Sequence, residues 1–129
     1  MKPTTLEWIA KAEGDFGMAL RESRARKNPS YDGVCFHAQQ CAEKYLKAFL
    51  CEAGISFPRT HDLVALLEKA LPLKPLWEVH REDLAFLSEF AVAFRYPGDS
   101  ADRESALDAR KRCTRFRRVA REALRLGDQ

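Results

Sequence analysis

Apolar residues recur along this chain at three- and four-residue spacing, and nowhere at the period of two that a half-buried strand requires. Branched-β residues are scarce. Every segment long enough to form an element therefore reads as a helix. Proline, glycine and asparagine divide the pattern into five pieces. Asn28-Pro29-Ser30 ends the first, Gly54 the second, Pro72 and Pro75 the third, and Pro97-Gly98-Asp99-Ser100 the fourth.

The first piece predicts a helix over about residues 5–26, with Thr4 or Thr5 as its N-cap. Leu6, Ile9, Phe16 and Leu20 make its apolar stripe, edged by Ala12 and Ala19. Gly14 and Gly17, each costing about 1 kcal/mol against alanine, are expected to admit a neighbouring helix closely. The second helix, over about 31–53, buries Val34, Cys35, Ala38, Cys41, Ala42, Tyr45, Leu46 and Phe49. So wide an apolar sector belongs at the centre of a bundle. His37, Gln40, Lys44 and Lys47 lie together on its other side. A short helix over about 61–71, capped by Thr60, turns Leu63, Leu66, Leu67 and Ala70 inward. A long fourth helix is expected over about 75–94, with Leu76, His80, Leu84, Leu87, Ala91 and Phe94 on one stripe, widened by Trp77, Phe86 and Phe90. The fifth covers about 101–126, stops at Gly127, and buries Ala106, Ala109, Cys113, Phe116, Ala120 and Ala123. Four long helices and one short one, joined by short connections, predict an all-α, up-and-down bundle.

With 129 residues the chain is expected to be one domain, burying about two-thirds of its unfolded surface. No apolar run reaches the roughly 18 residues that a membrane span needs. The N-terminus carries acids where a signal peptide needs an apolar core, so a cytoplasmic location is expected. Cys35, Cys41, Cys51 and Cys113 form no CxxC pair and no zinc spacing, and read as reduced core thiols, with Cys51 the sole weak candidate nucleophile. No di-iron Glu-x-x-His pair and no glycine-rich phosphate loop occurs, so no metal and no cofactor is expected.

The net charge of +3 is unevenly placed. Residues 101–129 hold nine bases and five acids, while the first hundred residues are acidic by one. Arg103, Arg110, Arg117, Arg121 and Arg125 fall within about 80° of one another at about 100° per residue. Such a stripe beside the core face points to an anionic partner, with a solvated arginine-rich surface as the plainer reading. His80, within an apolar stripe, reads as a core histidine.

Arg95-Tyr96-Pro97 stands where a helix must stop, because proline disfavours helical geometry in the residue before it. The arginine offers a planar fork for phosphate oxygens and the tyrosine a face on which a base can stack. The alternative is that Arg95 closes the turn through Asp99 while Tyr96 packs on a neighbour. Candidate nucleotide or RNA contacts are thus Arg95, Tyr96, His37, Lys44, Arg110, Arg117 and Arg121, with Arg95 the one candidate catalytic group.

Four segments in order resemble the HEPN domain family. Trp8 to Phe16 is similar to its opening Ala-x-x-Asp segment. Cys35 to Ala48 resembles its QQxAEKxLKA stretch, Pro58 to Leu63 its Thr-His-Asp-Leu, and Arg95-Tyr96-Pro97 its Arg-Tyr-Pro turn. The resemblance covers nearly the whole chain. It implies a helical bundle that forms a homodimer, encoded beside a minimal nucleotidyltransferase, often as the toxin of a toxin–antitoxin pair. Active members are metal-independent RNases with a histidine after four to six residues from the arginine. Here those positions are Ser100, Ala101 and Asp102, and no histidine follows His80. The resemblance then implies a binding module for nucleotide or nucleic acid. The alternatives are an RNase pairing Arg95 with His37 or His61 from elsewhere in the fold, and a purely structural dimerisation partner. It also marks Tyr96 as an acceptor for nucleotide transfer by such a partner.

Overall fold

Lys2, just ahead of the first helix, is tied to the end of the second: its backbone N–H donates to Glu52 (3.1 Å) and its ammonium to the Cys51 carbonyl (2.9 Å). In this computed structural model, which describes residues 1–126, the two helices therefore run antiparallel. They are α1, Pro3–Arg24, and α2, Tyr31–Glu52. Further on come α3, Leu63–Ala70, α4, Arg81–Ser88, and α5, Arg103–Ala123. Among the described residues there is no strand. Asp32 accepts from the Ala101 N–H (2.6 Å) and Tyr45 from Arg121 (2.9 Å), so α5 runs parallel to α2. Asp83 near the start of α4 meets Arg115, and Phe86 one turn further on meets Arg112 one turn earlier in α5, so these two are antiparallel. The result is an up-and-down bundle with α3 as a short insert, as expected for long helices joined by short connections.

The interior is built around α2. Every apolar residue expected to face inward from it is buried, as are Leu63, Leu66, Leu67 and Ala70 of α3. Gly54 stops α2 with φ of 74°, a left-handed conformation that costs glycine nothing, and the Ile55 N–H reaches back to the Leu50 carbonyl (2.9 Å).

Three local expectations are corrected. The caps lie elsewhere: α1 begins at Pro3 with Lys2 before it, and Asp62, not Thr60, caps α3 by accepting from the Val64 and Ala65 N–H groups. The buried stripe of α1 is Thr5, Ile9, Ala12, Asp15 and Ala19, while Leu6 is half exposed. Small residues face α2 because they let the two backbones approach. Gly14 is not part of that approach, since a Cβ there would meet nothing within 4 Å, and at Gly17 it would meet only the Arg21 guanidinium.

The segment expected as a long fourth helix is α-helical only over Arg81–Ser88, flanked by 3₁₀ turns at Pro75–His80 and Glu89–Ala91. A 3₁₀ turn advances three residues per turn, so the 3.6-residue stripe loses phase. Leu76 consequently stands 84% exposed, while Trp77 turns into the core against Phe49 and Phe116. His80 packs its edge on Phe116, and burial lowers its affinity for a proton. Asp102 caps α5 by accepting from the Ser105 N–H (2.7 Å). The expected stop at Gly127 lies outside the described residues.

Candidate functional site

An aromatic ladder delivers Arg95 to the surface. Phe86 meets Phe90 edge-on, and Phe90 stacks on Phe94 with centroids 5.7 Å apart. Phe94 takes φ of 65°, rare for a bulky side chain, and the chain turns there. Arg95 and Tyr96 are thrown outward, the tyrosine 75% exposed. Arg95 donates to the Ala91 carbonyl (3.3 Å), and the Asp99 N–H closes the turn on the Tyr96 carbonyl (3.2 Å). Among the described residues Arg95 forms no ion pair, with Asp99 or any other acid. Its fork is open to solvent and able to take two phosphate oxygens.

The positions where a nuclease histidine would stand have other work. The Ala101 N–H is held by Asp32, and the Asp102 carboxylate is the α5 cap, kept below the usual carboxylate range by the Ser105 N–H.

His37 and Lys44 were expected on the polar side of α2 as nucleotide or RNA contacts. Both instead converge on Asp15 of α1, which is buried: Oδ1 lies 2.7 Å from His37 Nδ1 and Oδ2 accepts from Lys44 Nζ at 2.6 Å. His37 and Lys44 thus occupy both oxygens of the buried Asp15 carboxylate. His37 still borders an open cleft of about 280 Å³ with Arg21, Glu22, Ser30 and Gly33.

The basic stripe of α5 divides. Arg117 and Arg121 are buried, at 8% and 9% exposure, and face the interior. Arg117 makes two bonds to Glu13 and lies 4.1 Å from the Phe16 ring centre, while Arg121 bonds the Tyr45 hydroxyl. Tyr45 donates in turn to Glu13. These two arginines are therefore corrected from surface contacts to core ion pairs, because both turn toward Glu13 where α5 meets α1. Arg112 and Arg115 are tied to Asp83. Arg110 stays half-buried.

One constellation was not singled out from the sequence. Glu43 of α2 is 3% exposed. Its Oε1 accepts from Gln39 Nε2 (3.0 Å) and lies 2.8 Å from His61 Nδ1, and its Oε2 accepts from Lys47 (3.0 Å). Burial raises its proton affinity, but the bonds from Gln39, His61 and Lys47 outweigh burial and hold the carboxyl below its usual range. The four-residue spacing of Gln39, Glu43 and Lys47 was the available signal, since it places the three on one helix face. That His61 would join them depended on the fold.

Among the described residues no helix is long and apolar enough to cross a membrane. No curated protein matches the chain. Among solved structures, that of an archaeal HEPN homologue is similar to it at a TM-score of 0.74 and 24% identity, over 95% of this chain and 98% of that one. At that identity the likeness establishes the shared fold. The sequence of residues 5–123 matches the HEPN domain family. With that match spanning all five helices, the chain belongs to the HEPN domain family.

Proposed function

We propose that this protein is a binding module for nucleotide or RNA, with Arg95 as its phosphate contact and Tyr96 as its stacking face. The observation that carries this reading is the contrast among the arginines. Arg112, Arg115 and Arg117 each hold a carboxylate, whereas Arg95 presents its fork beside an exposed aromatic ring. Arg110, and His37 at the mouth of its cleft, supply secondary backbone contacts. The module works as a homodimer beside a minimal nucleotidyltransferase, in a toxin–antitoxin-like pair. Support for the dimer and the partner is family membership.

Titration with a short single-stranded RNA at low salt tests it. Saturable binding that weakens in Arg95→Ala is expected, by about tenfold for the loss of one charge-assisted fork. Absence of binding at low salt would leave only a structural, dimerising role. The same samples are incubated with RNA and a chelator. Cleavage present in wild type and lost in Arg95→Ala would replace the binding module with a metal-independent RNase.

A further inference from the structure

Away from the Arg95 turn, Trp8 of α1, Lys47 of α2, and Phe57, Arg59, Thr60 and His61 of the segment before α3 line a cleft of about 520 Å³. That is within the size range of small-molecule sites. Its apolar wall is made by the Trp8 and Phe57 rings, set edge to face with centroids 6.4 Å apart. Its floor is cationic: the Lys47 ammonium lies 5.5 Å from the Trp8 ring centre and 6.0 Å from that of Phe57. The carboxylate behind the floor, Glu43, has both oxygens occupied by Gln39, His61 and Lys47, and the Lys47 ammonium offsets its charge.

The rim supplies donors. Arg59 is exposed and, among the described residues, forms no ion pair. Thr60 Oγ1 accepts from the Asp62 N–H (3.1 Å), which leaves its own hydroxyl proton to donate outward. His61 has its Nδ1 held by Glu43 and 66% of its side chain exposed, so Nε2 is the open ring nitrogen. In the imidazolium form it can bridge Glu43 and an incoming anion.

We propose that this cleft is a second ligand site, separate from Arg95, for a small aromatic phosphate the size of a mononucleotide. The ring lies along Trp8 and Phe57. The phosphate oxygens take bonds from Arg59, the Thr60 hydroxyl and His61. Lys47 lies beneath without direct contact, its ammonium paired with Glu43. A ligand needs both parts, since the aromatic wall and the cationic rim are set side by side.

The test titrates the full chain with AMP, adenosine and inorganic phosphate, by calorimetry and by tryptophan emission. AMP is expected to saturate and to quench the emission, with adenosine and phosphate each at least about tenfold weaker. Arg59→Ala is expected to weaken AMP about tenfold, and Arg95→Ala to leave it unchanged. Arg59 is an exposed loop residue, so its variant keeps the fold, which circular dichroism verifies. Trp8→Phe is expected to abolish the quench while AMP still binds, because Trp77 is buried in the core. The proposal is overturned if AMP does not saturate, if phosphate alone binds equally well, if Arg59→Ala changes nothing, or if the quench survives Trp8→Phe. Loss of AMP binding in Arg95→Ala would move the ligand to the Arg95 turn and overturn the second site while sparing the first.

Discussion

Arg117 of α5 grips Glu13 of α1 through two parallel bonds, Nε to Oε2 and Nη2 to Oε1, each 2.7 Å long. The pair joins residues 104 positions apart and closes the first helix onto the last. Removing the acid would take from Arg117 both of these bonds and from the Tyr45 hydroxyl its acceptor. Glu13→Ala is expected to cost about 3 kcal/mol, the lower end for a broken buried pair, because Glu13 keeps some contact with water. Arg118→Ala, on the exposed face of the same helix, should stay within about 0.5 kcal/mol. Urea unfolding of the two variants checks both values.

Glu43 sets part of the acid stability. Its carboxyl binds a proton less readily in the folded chain than in the unfolded one. Its contribution is therefore present above the unfolded value, near about 4.3. It is lost as the pH falls through the lower folded value. The thermal midpoint of wild type should drop more steeply from about pH 5 to about pH 3 than that of Glu43→Gln. Glu13 is lowered too, despite its burial, by Arg117 and Tyr45, so a residual slope remains in the variant. Equal slopes would remove Glu43 from the account.

Arg95 holds the Ala91 carbonyl and nothing acidic among the described residues. Arg95→Ala should therefore shift the unfolding free energy by no more than about 0.5 kcal/mol. If it instead destabilised the bundle by several times that amount, any loss of RNA binding in the variant would report misfolding.

The four cysteines should separate by reactivity. Burial, helped by Asp32 and Asp102, pushes the Cys35 thiol up to about 12, and burial beside Cys113 raises Cys41 as well. Cys113 is likewise buried. Cys51 is only partly covered and accepts a weak bond from the Thr5 hydroxyl (3.4 Å). A thiol reagent should label one site quickly in the native protein and all four after denaturation, and Cys51→Ser should abolish the fast phase.

The helices of this bundle were legible because their apolar faces repeat at the helical period over many residues, as Val34 to Phe49 and Leu63 to Ala70 illustrate. The fourth segment was less so. A 3₁₀ turn and an α-helix share similar residue preferences, and only packing of Trp77 between Phe49 and Phe116 selects the tighter winding. The fate of the charges was least legible. Arg110, Arg117 and Arg121 share one stripe in the sequence, yet Glu13 draws two of them inside.

By itself the sequence determined the helical class, the central place of α2, the turn that ends at Arg95-Tyr96-Pro97, and the family. Tertiary structure alone decided which polar groups are spent. Asp15, Glu13 and Glu43 take up His37, Lys44, Arg117, His61 and Lys47, while Arg95 and Arg59 keep their guanidinium groups in solvent. The reason is physical: a helical period fixes which face of an element a charge occupies, but its partner lies on another element, and only the packing of the two brings them within bonding distance.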